Sequence, residues 1–229
     1  MKEKPTPSQP ARNLAAEVVE SLRNEIISGI LAPGAALAEP VLAARFGLSR
    51  VPVREALIEL EREGLIQFES TGRTKVRTLA RRDLIEIIEA RAVLEVAAVR
   101  KLTLEWTRRD TAWVTRNIGS QAKASTLAQL SHLDIEMHEY LMRRNGNERL
   151  LRLWQSIRWQ FQMCLARTHR LQEKLADKPH QITISAHLRL LKALESGDPE
   201  MAAATMKVHI EAALGWEMDA QGTLAPNLR

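Results

Sequence analysis

Asp134 and His138 stand four residues apart in LSHLDIEMHEYL, a spacing that puts both side chains on one face of a helix. Leu127, Leu130 and Leu141 share that face, which points the two polar side chains into a helical core. A carboxylate taken out of water without a partner costs several kcal/mol or shifts its pKa, so partners are expected. Two further histidines qualify. His187 lies ten residues before Gly197 and His209 twelve after it, so in a hairpin turning at Gly197-Asp198-Pro199 both stand about 15–18 Å from the turn at the usual helical rise. Each shares its face with apolar or small residues, Leu191 and Leu194 for His187 and Ala202, Met206 and Ala213 for His209.

One aspartate and three histidines make a coordination set for a borderline divalent transition metal, zinc before nickel, manganese or cobalt, with one or two positions left for water or a ligand. The plain alternative is a group of hydrogen-bonded core histidines, and spacing alone leaves the two open.

A second pair of residues sits in GLSRVPVREAL. Arg50 and Arg54 are four apart in a helix whose buried stripe is Val53, Ala56, Leu57 and Leu60, which leaves both arginines on one exposed face near its start. A planar guanidinium can donate two hydrogen bonds to O6 and N7 of a guanine, so such a pair suits readout of the major groove. A bare RxxxR is more often a solvated helix face, so its surroundings must decide.

Those surroundings are helical. Leu, Ala, Arg and Glu dominate the 229 residues, aromatics make up 4%, and glycine and proline are sparse, a balance that favours a mainly α fold. Helical periodicity runs from Leu14 to Gly29, then over Glu39–Phe46 with Pro40 in the first turn, then from the N-cap residue Ser49 to Gly64. LIQFES and TKVRTL follow as two short strands around a turn at Gly72. Three helices and a hairpin are the element order of a winged helix-turn-helix. From Arg81 helical texture resumes in segments near 82–102, 107–120, 124–144, 147–170, 179–196 and 199–216, an antiparallel all-α bundle. Residues 1–12 read as a disordered arm, 13–79 as the winged domain, 80–218 as the all-α bundle, and 219–229 as a flexible tail.

Charge narrows the partners. The chain carries a net +5, but residues 1–80 hold 11 Lys and Arg against 10 Asp and Glu, so a nucleic-acid surface has to be a local patch. Cys164 is the only cysteine, which excludes an internal disulfide and suits a reducing compartment; among apolar neighbours it reads as core. No signal-peptide core and no run of about 18 apolar residues is present, so the expected location is the cytoplasm, with no membrane partner.

The stretch ISGILAPGAALAEPVLAARFGLSRVPVREALIELEREGLI resembles the DNA-binding domain of GntR-type bacterial regulators, over about 11–78. The resemblance implies that Arg50 and Arg54 read bases, that Ser49 contacts the backbone, and that the wing tip Gly72-Arg73 approaches the minor groove with Lys75 near a phosphate. Pro40 stands where several relatives carry an arginine that meets DNA; Arg45 is the candidate substitute, through phosphate. EARAVLEVAAVRKL, DIEMHEYLMRRNGNERL and HLRLLKALESGDPEMAAATMKVHI resemble the effector-binding FCD domain of the FadR-like branch, in its shorter VanR-type form, over about 82–213. Asp134, His138, His187 and His209 fall on that domain's metal positions and Arg91 on an arginine that faces the effector cavity, while Ala186 replaces an acidic residue common before the third ligand. His132, His169 and His180 lack such alignment and are expected at the periphery; Trp154, Trp159 and Phe161 are expected in core or dimer packing.

The reading is a homodimeric regulator, a repressor, that binds pseudo-palindromic double-stranded operator DNA under control of a small carboxylate or sugar acid bound at the metal. A metalloenzyme is the rival from another class, since three histidines and an aspartate with an open position can activate water. Against it, no nearby Glu, Ser or Cys has an evident role as base or nucleophile. A DNA-binding protein whose bundle only dimerises is the third.

Overall fold

The structure, a computed structural model, describes residues 9–176 and 178–220. It divides into two compact units that meet between Leu79 and Ala80.

In the first unit α1 (Gln9–Ser28) packs on α3 (Arg50–Arg62), with α2 (Glu39–Phe46) between them in sequence. Helix α1 starts inside the stretch expected to be a disordered arm, with Pro10 in its first turn, where a missing N–H costs nothing. The other arm residues, 1–8, lie outside the described residues, as do 221–229 of the expected tail. Helix α2 stops at Gly47, whose φ of 65° lets Leu48 N–H reach back to the Ala43 carbonyl at 3.0 Å. Val53, Ala56, Leu57 and Leu60 of α3 are buried, together with Pro52, against Val18, Leu22 and Ile26 of α1.

The wing pairs β1 (Ile66–Phe68) antiparallel with β2 (Thr74–Val76), Ile66 opposite Val76 and Phe68 opposite Thr74. A third segment joins them, because Val76 N–H donates to the Ala35 carbonyl at 2.9 Å and Leu37 N–H to the Thr74 carbonyl at 2.8 Å. Sequence reading had only a helix-breaking loop there. The segment APGAAL lacks the β-branched and aromatic residues that mark strands, and only the tertiary context makes it pair.

The second unit holds α4 (Arg81–Leu102), a 3-10 turn at Thr103–Glu105, α5 (Arg108–Ala122), α6 (Leu127–Arg144), α7 (Glu148–Leu175), α8 (Pro179–Glu195) and α9 (Pro199–Ala220). Local chemistry sets most of the starts. Thr107 and Asp110 form a capping box on α5, the Thr126 hydroxyl accepts from Gln129 N–H at 3.1 Å on α6, Asn147 Oδ1 accepts from two α7 amides at 3.1 Å, and Asp198 Oδ1 from Glu200 and Met201 N–H on α9. Helix α7 runs five residues beyond the expected 170, since LQEKL are good helix formers and no Gly or Pro intervenes before Pro179. Helix α4 packs chiefly along α9, α6 along α7, and α5 and α9 flank α8. The apolar core joins Val99 and Leu102 of α4, Ile118 of α5, Met137 and Leu141 of α6, Leu190 and Leu194 of α8, and Ala202, Met206 and Ile210 of α9. Among the described residues no helix is long and apolar enough to cross a membrane.

Candidate functional site

Within the bundle, all six helices send a polar side chain toward one point. Helix α6 carries Asp134 and His138 one turn apart on its buried face with Leu130 and Leu141. Helix α8 carries His187 and α9 carries His209 across the hairpin that turns at Gly197, whose φ is 75°. The two rings lie 4.9 Å apart between centroids, and the His138 and His209 rings stack at 5.1 Å. His138, His187 and His209 each offer a donor atom within 4.8 Å of the other two.

The donor distances have the scale of a coordination sphere. His138 Nε2 lies 3.1 Å from His209 Nε2 and 3.3 Å from Asp134 Oδ1, and His187 Nε2 lies 3.7 Å from that oxygen. Ligands about 2.1 Å from an ion stand about 3.4 Å from one another in a tetrahedral sphere and about 3.0 Å between neighbours in an octahedral one, and the observed spacings suit either. Asp134 Oδ1 and His187 Nε2 are buried without a hydrogen-bond partner. Buried polar atoms are almost always paired, so two orphans facing each other mark a place for a cation, and the residues present fit one.

Two of the three imidazoles are aimed from behind, while His209 Nδ1 is buried without a hydrogen-bond partner. Glu95 Oε2 lies 2.5 Å from His138 Nδ1, and Gln121 Oε1 accepts from His187 Nδ1 at 2.7 Å. In both cases the partner oxygen holds the proton on Nδ1 and leaves Nε2 to face the centre. Glu95 is itself 1% exposed and accepts from Arg91 Nε at 2.7 Å and Trp154 Nε1 at 2.8 Å. Arg91 therefore lies inside, its guanidinium over the Phe161 ring at 5.8 Å and its Nη2 buried without a hydrogen-bond partner.

Burial opposes ionisation of Glu95, but Arg91 and His138 outweigh it and hold the carboxyl below its ordinary value. Burial likewise opposes charge on Asp134, and His187, His138 and His169 hold its carboxyl well below the usual range. Burial pushes His187 down to about 4 and, with repulsion from His187 and His138, pushes His209 well below its ordinary value. Burial and Arg91 disfavour charge on His138, yet Glu95 and Asp134 raise its pKa. Two imidazoles are thus kept neutral, the form that ligates a metal.

Sequence reading missed Glu95 and Gln121 and misplaced one histidine. His169, expected at the periphery, is 2% exposed, with Nε2 3.3 Å from Asp134 Oδ2. It shares the buried face of α7 with Leu165, Ala166 and Gln172, a helical spacing that the sequence displays. His132 is exposed and His180 half-buried. Trp154 and Phe161 are core residues, and Trp159 lies against Arg158 at 4.2 Å.

In the winged unit Arg50 and Arg54 are exposed in the first turns of α3, four residues apart, and Ser49 precedes them, its hydroxyl making no capping bond. Arg50 Nε donates to Glu39 Oε1 at 2.7 Å across an exposed pair, a contact worth at most about 1 kcal/mol. Gly72 sits at the wing tip with φ 78° beside exposed Arg73, and Lys75 pairs with Glu69. Arg45 is bound to Glu25 through both terminal nitrogens, so a phosphate contact from Arg45 requires that pair to open.

Residues 14–76 match the family described as bacterial regulatory proteins, gntR family, and residues 86–212 match the FCD domain. The probable D-xylose utilization operon transcriptional repressor of Paenarthrobacter nicotinovorans is 30% identical over 206 residues, 88% of this chain and 87% of that protein. The gluconate operon transcriptional repressor of Bacillus licheniformis is 28% identical over 79% of this chain and 75% of its own length. Among solved structures, a GntR transcriptional regulator from Rhodococcus sp. RHA1 superposes with a TM-score of 0.74 at 24% identity, covering 93% of this chain and all of that one, and E. coli McbR/YncC with 0.72 at 23%, covering 90% and 98%. With an exposed arginine pair on a winged helix and a polar-centred bundle each inside its matching domain, the chain belongs to the GntR family of bacterial transcriptional regulators, in the group that carries an FCD domain.

Proposed function

We propose that this regulator is a homodimeric repressor, acting in the cytoplasm, whose hold on a pseudo-palindromic operator is set by a small organic acid bound at a divalent transition metal. Zinc is the first expectation, with nickel, manganese or cobalt as alternatives. The observation that carries the reading is the pair of orphaned buried atoms, Asp134 Oδ1 and His187 Nε2, at coordination spacing from His138 and His209. Those four residues would hold the ion, which as a Lewis acid supplies attraction for a carboxylate or hydroxyl oxygen. Two of the relatives are named for D-xylose and gluconate operons, which favours a sugar acid as effector class. Arg91 supports recognition of an acid, because one of its nitrogens is still unpaired inside the bundle.

On the DNA side, Arg50 and Arg54 would read base edges, with Ser49, Arg73 at the Gly72 turn, Lys75 and Arg45 on the sugar-phosphate backbone. Control requires the acid to bind the DNA-competent and incompetent arrangements with different affinity, typically by about 1–3 kcal/mol. The test is elemental analysis of protein purified without added metal, joined to mass spectrometry of any small molecule that leaves with the ion in chelator. About one transition-metal ion per chain, lost on His209→Ala, is the expected result. Metal-free protein with a thermal melt indifferent to chelator would reduce the bundle to a structural one.

A further inference from the structure

His169 is outside the four-donor set, yet it is held as closely as any member. It projects from α7 onto α6, where its Nδ1 lies 2.8 Å from Ser131 Oγ and its Nε2 3.3 Å from Asp134 Oδ2. Ser131 is fully buried and one helical turn before Asp134. The two oxygens of Asp134 therefore face different ways, Oδ2 toward His169 and Oδ1, without a hydrogen-bond partner, toward His138 and His187.

The protons can be assigned from donor capacity alone. A carboxylate accepts and does not donate, so the His169 nitrogen beside it carries the hydrogen; a neutral ring then has a bare lone pair on Nδ1, to which the Ser131 hydroxyl donates. In this tautomer His169 has no lone pair to give a cation at Nε2. We infer that His169, oriented by Ser131, is a positioning residue that ties up one oxygen of Asp134 and restricts the carboxylate to one-oxygen coordination of the metal.

The consequence is a count of open positions. Three imidazoles and one carboxylate oxygen make four donors, and an ion that accepts six keeps two sites for an acid to chelate. A carboxylate swinging to bind through both oxygens would leave one. Holding Oδ2 thus preserves the paired vacancy that a bidentate acid requires, a role that no single ligand of the ion can perform for itself.

This inference rests on the metal reading, and Co(II) separates the two. Full-length protein, stripped of metal, is titrated with Co(II) against a competing chelator while its visible absorption is recorded, for wild type, Ser131→Ala, His169→Gln and His169→Leu. Glutamine keeps an N–H donor close to the place of Nε2, and leucine removes it. The expected result is one Co(II) with a wild-type spectrum in His169→Gln, and in His169→Leu an altered spectrum with affinity lower by about 10–100-fold. Ser131→Ala is expected to move affinity in the same direction by less. Unchanged affinity and spectrum in His169→Leu would overturn the inference, as would equal loss in His169→Gln and His169→Leu, which would make His169 a ligand. Wild-type protein that takes up no Co(II) would overturn the metal reading itself.

Discussion

Two residues carry sharply different risks when changed. Arg54 is exposed on α3, so Arg54→Ala should leave the thermal melt unaltered and weaken specific operator binding by about 1–3 kcal/mol, the value of a good base contact; footprinting that still shows full protection at wild-type concentrations would remove it from the interface. Glu95 is the opposite case. It is nearly inaccessible and holds Arg91, His138 and Trp154 together, and removing one member of a buried charged network strands the other. Glu95→Ala is expected to destabilise the bundle by about 3–5 kcal/mol in denaturant melts. A loss under 1 kcal/mol would show that water replaces the carboxylate at little cost. Both residues sit on helical faces that the sequence displays, yet only one invites notice. Arg54 lies in a run of motif residues, whereas Glu95 looks like one more acid in a charged helix until Ile88, Arg91, Val99 and Leu102 are seen to share its stripe.

Among elements, the α8–α9 hairpin places two titrating groups where pH can read them. In protein stripped of metal, His187 is pushed down to about 4 by burial and His209 is lowered as well, while in the unfolded chain both titrate near 6.5. Between those values the unfolded state binds more protons, so stability must fall as pH drops from about 6.5 toward 4. His138 is raised instead; below 6.5 it is protonated in both states and adds no slope there, and its own contribution fades only above that pH. Urea midpoints of chelated protein across this window check the claim, and a flat profile would contradict the neutral state of both rings. The helices themselves were legible because period and caps agree: the residues between Asn145-Gly146 and Gly197 punctuate as expected, and the buried stripe of α3 follows its spacing. What escaped were features that no local pattern encodes. Ala36 pairs with the wing because β2 presents a free edge, and Gln121 reaches His187 only because α5 lies along α8. The four metal candidates could be named from spacing and resemblance, but the atoms behind them could not, since a hydrogen-bond partner 66 residues away leaves no mark on its neighbours in the chain.

At the scale of the whole molecule, the net charge of +5 lies mostly outside residues 1–80, which hold 11 Lys and Arg against 10 Asp and Glu, so the burden of drawing the winged unit to DNA falls on a few arginines and, in the proposed homodimer, on the doubling of sites. The feature with the furthest reach is the junction. Strand β2 ends at Val76 and α4 begins at Arg81, so four residues, spanning at most about 14 Å, join a reading head to the helix that bears Arg91 and Glu95. Inserting ten Gly and Ser residues after Leu79 should spare metal uptake, lower operator affinity modestly through reduced effective concentration of the second head, and abolish the response of DNA binding to acid, as followed by fluorescence anisotropy. Retention of the full response would place the coupling elsewhere. So short a leash leaves the chain itself little slack between β2 and α4, and the insertion asks whether a turn at the foot of that helix is felt in the groove.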